Sequence, residues 1–170
     1  MSYKLLLFEN VRPRQKQRPR FSHRGGKTRT YTPKQTKDFE AKLKSLAMQD
    51  LPENWKPLKG DVKLTIRLKF EVPVSWSKEK KEKALNGEIK PNKKNGDIDN
   101  LAKSVLDSLN GVIYEDDHQV NELEISKFYS ETNEIAVHIF YEDEEDEEDE
   151  ESEGLSPDEL YNGMRKSIFR

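Results

Sequence analysis

The chain has no cysteine. That excludes disulfides, zinc–thiolate sites and thiol catalysis, and it suits a reducing cytoplasm. Long apolar runs are missing too. Leu5-Leu6-Leu7-Phe8 ends at Glu9, too short for the apolar core of a signal peptide. No run approaches the roughly 20 residues that span a bilayer. Only 32% of the 170 residues are hydrophobic and 37% are charged. One domain with a small core is therefore expected, cytoplasmic and without a membrane partner.

What abounds is charge, unevenly placed. Residues 1–141 hold 27 Lys and Arg against 20 Asp and Glu, while residues 142–170 hold 3 against 13. The body is thus +7 and the C-terminal part −10. A basic body with an acidic appendage reads as a nucleic-acid-facing domain with a solvated tail. Glu142 to Glu153 contains 11 acids in 12 positions, a low-complexity run expected to be disordered. Beyond it, Ser156-Pro157-Asp158-Glu159 resembles a helix start. Leu160, Met164 and Ile168 follow at helical spacing, so residues 154–170 could form a short helix that docks an unknown protein partner.

Periodicity orders the rest. Tyr3 to Val11 reads as a first strand. Arg12 to Lys34 carries nine Lys and Arg and no acid. Gly25-Gly26 and its Arg-Pro steps argue against regular structure, so residues 12–32 are read as a flexible basic arm. Thr32 and Pro33 suit the N-cap and first position of a helix running to about Met48. From Asp61 to Phe70, Val62, Leu64, Ile66, Leu68 and Phe70 alternate with polar residues, the clearest strand in the chain. Ser77 caps a short polar helix to Leu85. A second main helix runs from about Asp97 to Asn110 and stops at Gly111. Val120–Ser130 and Glu134–Tyr141 look like a closing pair of strands, with a weak hairpin signal at Thr132-Asn133. The order is β-α-β-(α)-α-β-β: an α+β fold, a mixed β-sheet with two main helices packed on it.

The Asp97–Asn110 helix carries the chemistry. Leu101, Ala102, Val105, Leu106 and Leu109 share an apolar sector of about 140°. Asp99, Lys103, Asp107 and Asn110 lie opposite. Asp97 sits at the cap, and Asp116 and Asp117 follow the far end. A returning strand could bring the two acidic groups to one point. Carboxylates so arranged can hold Mg²⁺, which takes oxygen ligands and keeps several waters. Plainer readings stand beside this one. Asp97 or Asp99 could simply cap the helix. Asp99 and Lys103 could be an ordinary i,i+4 pair, and Glu115-Asp116-Asp117 a solvated turn.

The segment Gly96-Asp-Ile-Asp-Asn-Leu-Ala-Lys103 with Asp107 and Tyr114-Glu-Asp-Asp-His-Gln-Val120 resembles the signature of the RusA-type Holliday junction resolvases. That pattern is Asp-x-Asp-Asn-x-x-Lys, a helix with an internal Asp, then Asp-Asp-x-Gln-Val. The likeness extends to Arg18-Pro-Arg-Phe21 and Tyr31-Thr-Pro33 and covers roughly residues 5–141. It implies a RusA-like domain over 1–141; the acidic linker over 142–153 is not part of the shared pattern. The likeness implies a homodimer that cleaves four-way and other branched DNA with Mg²⁺, for which Mn²⁺ could substitute. Asp97, Asp99 and Asp117 would be the essential metal carboxylates, Lys103 a catalytic lysine, and Asp116 a neighbour of less certain role. The family is common in bacteriophages and prophages.

Phosphate contacts are expected from Arg14, Arg18, Arg20, Arg24, Lys27 and Arg29 in the arm and from Lys93 and Lys94 before the helix. Phe21 could stack on an unpaired base or anchor the loop. Two other classes compete with the nuclease. A non-catalytic DNA-binding accessory of phage replication or packaging would use the acids only as caps. A Ca²⁺ module is disfavoured because the acids do not follow an EF-hand loop.

Overall fold

The computed structural model describes residues 1–142. The acidic run from residue 143 and the segment 154–170 lie outside the described residues. Six strands and three helices follow in the order β1 (Ser2–Glu9), β2 (Arg20–Arg24), β3 (Lys27–Tyr31), α1 (Lys34–Asp50), β4 (Val62–Glu71), α2 (Lys78–Leu85), α3 (Ile98–Leu109), β5 (Val120–Ser130) and β6 (Glu134–Tyr141). This is a mixed α+β fold, as the periodicity predicts, with two strands added.

The main sheet has the order β1-β6-β4-β5. β6 is antiparallel to both β1 and β4, and β5 is parallel to β4. One row across it is Leu6–Val137–Ile66–Ile125. Leu6, Val137 and Ile66 are fully buried, because α1 and α3 cover this face with Phe39, Leu43, Ala47, Leu101, Val105 and Leu109. The burial of those side chains, about 1.5–3 kcal/mol for each one larger than alanine, holds the layers together. The parallel β4–β5 pair needs a crossover, and α2 and α3 supply it.

The expected hairpin between β5 and β6 does not form, because β4 lies between them. Val62, Leu64, Thr65, Ile66 and Leu68 are fully buried, so β4 is a central strand that needs partners on both edges. The Thr132-Asn133 turn instead arches over the end of β4. Val72 donates its N–H to Ser130 O at 3.0 Å. Asn133 Oδ1 accepts the Glu71 N–H at 3.1 Å, and its Nδ2 donates to Glu71 Oε2 at 3.2 Å.

The basic arm also departs from the irregular loop expected. β2 and β3 form an antiparallel hairpin. Gly25 and Gly26 both have positive φ, +59° and +74°, the requirement of a two-residue hairpin turn whose twist matches its strands. What reads as a breaker pair is the turn itself. At the next helix, Pro33 rather than Thr32 occupies the cap position, without a side-chain cap bond. The Pro33 carbonyl accepts from Thr36 and Lys37 instead. Ser77 does cap α2, accepting the Lys80 N–H at 3.3 Å.

Candidate nuclease site

The exposed N-terminus of α3 is built from distant parts of the chain. Asp97 takes the N-cap position with extended backbone, and its carbonyl accepts the Leu101 N–H at 3.0 Å. Its carboxylate makes no cap bond, so it is not consumed by the helix end. Asp99 lies in the first turn and Lys103 one turn further; both are exposed. The loop before Asp97 is held from three sides. Gln15 Oε1 accepts the Asp97 N–H at 3.1 Å. Lys127 Nζ donates to Gly96 O at 2.9 Å, and Tyr129 O–H donates to Asn95 Oδ1 at 3.1 Å. Gly96 has φ +101°, and a Cβ there would meet Gln15 and Leu101 at 3.3 Å. Only glycine fits this loop without strain.

The second acidic group follows α3. Asp116 caps a single 3₁₀ turn over Asp117–Gln119, accepting the His118 N–H at 3.3 Å. Gln119 returns the bond, its Oε1 accepting the Asp116 N–H at 2.9 Å. The Gln119 Nε2 donates to Leu58 O and Gly60 O at 2.8 and 3.0 Å, which fastens the turn to the connector before β4. The backbone bond from His118 holds Asp116 below the ordinary carboxylate range. A hydrogen bond to Asp116 pushes Asp117 above it, helped by burial and by the charges of Asp116 and Asp107. Two neighbouring carboxyls that share a hydrogen bond separate in this way.

The charge beyond its own pair that presses on Asp117 is thus Asp107, near the C-terminal end of α3. Asp97 stands ten residues earlier, about 15 Å along the helix axis at 1.5 Å per residue. Among the described residues, no group of three or more His, Asp or Glu is gathered closely enough to hold a metal ion. The donor chemistry still fits Mg²⁺, which usually takes only one or two carboxylates beside waters and phosphate oxygens. Asp97 and Asp99 meet that requirement at an open, exposed position.

The cations converge on the same end of α3. Arg18, Arg20 and Gln15 share a cleft with Asp97 and Asn100. Arg14 and Lys94 line the neighbouring cleft. Lys16 donates its N–H to Asn100 O at 3.0 Å and pairs through Nζ with Asp107 and with Glu40 on α1, the latter at 3.3 Å. The start of the arm is thereby pinned along α3. The hairpin extends beyond it. Its register pairs Arg20 with Tyr31, Ser22 with Arg29 and Arg24 with Lys27 on one face. Phe21 and His23 pair with Thr30 and Thr28 on the other. All four cations of the hairpin thus share one face, and Phe21, 67% exposed, lies on the neutral one.

A family model for Endodeoxyribonuclease RusA matches residues 10–140. The chain belongs to the RusA endodeoxyribonuclease family. It is also similar to the Uncharacterized protein YqaN of Bacillus subtilis (strain 168), at 42% identity over 124 residues that cover 72% of this chain and 85% of that one. Membership makes this chain a nuclease of a metal-dependent family. The matched residues include both acidic groups, Lys103 and the whole basic arm. No helix among the described residues is long and apolar enough to cross a membrane.

Several residues that shape the site carry no local sequence signal. Gln15, Lys127 and Tyr129 act across 82, 31 and 34 residues, beyond the reach of any short pattern. Gln119 stands in the family pattern, and Asp116-x-x-Gln119 also has the spacing of a capping box, the structural role it takes. The buried sector of α3 is wider than its aliphatic residues imply, since Ser104 and Ser108 are each only 1% exposed.

Proposed function

We propose that the chain is a Mg²⁺-dependent, structure-selective endodeoxyribonuclease that resolves four-way DNA junctions by paired nicks. The observation that carries this reading is the exposed Asp97-x-Asp99 pair with Lys103 one turn on, bordered by the basic arm, within the matched region. Asp97 and Asp99 would hold Mg²⁺; Asp117, supported by Asp116, would join them only where a second copy brings it to the site. Bound there, the cation supplies an acidified water and a polarised phosphoryl oxygen.

The chain's own residues do the rest. Lys103 donates to the charge that develops on the phosphate or leaving oxygen. It also limits repulsion between the carboxylates. Arg14, Arg18, Arg20, Lys93 and Lys94 draw the backbone toward Asp97, and Arg24, Lys27 and Arg29 extend the track along the hairpin. Phe21, on the opposite face, is free to stack on an unpaired base where the arms of the junction meet.

A second copy completes the assembly. A four-way junction has two-fold symmetry, and two nicks need two sites, which a C2 dimer supplies. The sheet face opposite the helices suits such contact. It exposes Tyr3, Leu5 and Leu7 at 39%, 37% and 46%, beside Ala136 and Phe140 of β6 in register. The reaction belongs to recombination, repair or phage DNA processing in the cytoplasm, which suits a chain without cysteine.

The deciding assay is nicking of a synthetic four-way junction with Mg²⁺ and with EDTA, against flaps, forks and linear duplex. Junction cleavage lost in EDTA supports the reading. Binding without cleavage would favour a DNA-binding accessory, the alternative to which the separation of the two acidic groups within one chain gives weight.

A further inference from the structure

Beside Asp97 lies a cleft of about 230 Å³ whose floor is neutral and whose rim is cationic. Ser104 lines it from α3, Gln35 from α1, and Gln15 and Gln17 from the start of the arm; Arg14 and Lys94 border it. Ser104 is 1% exposed, and its hydroxyl has no hydrogen-bond partner. Its usual recourse, the carbonyl of Asn100 four residues earlier, already accepts the Lys16 N–H. A buried hydroxyl left without a partner is costly in a native fold. The hydroxyl is left with the capacity to bond a group that enters the cleft.

The amides of the cleft are oriented. Asp97 donates to Gln15 Oε1, which leaves the Gln15 amino group turned to other partners. Gln17 Nε2 donates to Gln35 Oε1 at 3.2 Å, which frees the carbonyl oxygen of Gln17 and the amino group of Gln35. The cleft so offers amide donors, an amide acceptor and a hydroxyl at one opening. A phosphate accepts but cannot donate, so it would use the cations, the amide amino groups and the hydroxyl and leave the Gln17 carbonyl oxygen idle. A nucleobase edge, with its alternating donors and acceptors, uses the amides and the hydroxyl.

We infer that this cleft takes one nucleobase of the strand that reaches Asp97 and reads its hydrogen-bonding edge through Ser104, Gln17 and Gln35. Arg14 and Lys94 hold the flanking phosphate and carry no sequence information, whereas the neutral floor does. The inference deepens the nuclease reading and rests on it.

The test uses the full chain on four-way junctions in which each base flanking the crossover is varied in turn, with cuts mapped on denaturing gels. The wild-type chain should favour one base at one position by about tenfold or more, the discrimination of a good bidentate contact. Ser104→Ala and, separately, Gln35→Ala should flatten that preference to about threefold or less. Ser104→Ala should melt no lower than wild type, since no bond within the fold is lost. Even cutting by the wild-type chain, or an undiminished preference in both variants, overturns the inference and leaves the nuclease intact. If no junction is cut at all, the nuclease reading fails, and binding of the four deoxynucleoside monophosphates to the full chain decides the cleft. One of them binding well above the others, and weakened by Ser104→Ala, sustains a base site. Equal binding of all four and of inorganic phosphate overturns it.

Discussion

Gln15 and Asp97 are joined by a 3.1 Å hydrogen bond from the Asp97 N–H to the Gln15 side chain. The bond lets the first residues of the basic arm set the backbone of the first proposed metal carboxylate. Gln15→Ala should cost about 1 kcal/mol, the net worth of such a bond, and should slow junction nicking. Gly96→Ala should cost more, about 1–3 kcal/mol, because it adds strain at positive φ. Chemical denaturation and single-turnover nicking check both. Wild-type rates in both variants would show that the loop does not position Asp97.

Asp97→Asn, Asp99→Asn and Asp117→Asn should each abolish cleavage while junction binding stays equal or tightens. Each change removes charge that attracts the cation and repels DNA phosphate. Gel-shift and nicking assays at saturating Mg²⁺ measure both properties. Near-normal cleavage by all three variants would remove the proposed site.

The two-faced hairpin separates two functions. Replacing Arg20, Arg24 and Arg29 together with Gln should weaken binding to junction and duplex alike. It should also flatten the dependence of log K on log salt by about 0.9 per lost phosphate contact. Phe21→Ala should leave that slope unchanged. It should reduce 2-aminopurine fluorescence changes at the junction centre, where duplex affinity is not at issue. An unchanged slope in the triple variant would mean that the cationic face does not meet DNA.

His138 makes stability depend on pH. It is 8% exposed in β6, with Tyr3 O–H 2.8 Å from its Nδ1. Burial, together with the charge of Arg67, holds its imidazole below the ordinary histidine range. The unfolded chain takes up a proton near pH 6.5, while the folded chain resists until a lower pH. Stability is therefore full at neutral pH and above, and falls as the pH drops through the unfolded value. The fall levels off below the folded one. Denaturation midpoints between about pH 5 and 8 should show that slope, and His138→Phe should remove it.

Light scattering should find a dimer, and Leu5→Asp with Leu7→Asp should shift it toward monomer. Paired nicking of one junction should then give way to single nicks. A monomer that still makes paired nicks would contradict the dimer.

Much of this architecture is legible in short stretches of sequence. The alternation from Val62 to Phe70, the Ser77 cap and the apolar stripe of α3 are local patterns, and the structure keeps them all. The β5–β6 hairpin failed because pairing is decided by competition for edges, and buried β4 outbids a weak turn. The arm failed for the opposite reason. Gly25-Gly26 favours a hairpin strongly once both residues take positive φ, yet glycine pairs equally mark loops. At the candidate site, spacing alone puts Asp99 and Lys103 one turn apart on the polar side of α3, while their assignment to a metal site comes from the resemblance. The supports at Gln15, Lys127 and Tyr129 were not legible, because only the folded sheet brings them to Gly96.

The strand order has a consequence for how the protein comes into being. β6 sits between β1 and β4, yet it is the last strand of the described chain to be made. On a ribosome, Leu6 and Ile66 must wait for Val137 before their row can close. Such long-range pairing slows folding and exposes unpaired edges meanwhile. A nascent chain that stops short of Glu134 leaves β1 and β4 without the strand that joins them. An early fragment then has at most the β4–β5 half of the sheet, and the face that α3 covers stays incomplete until β6 arrives.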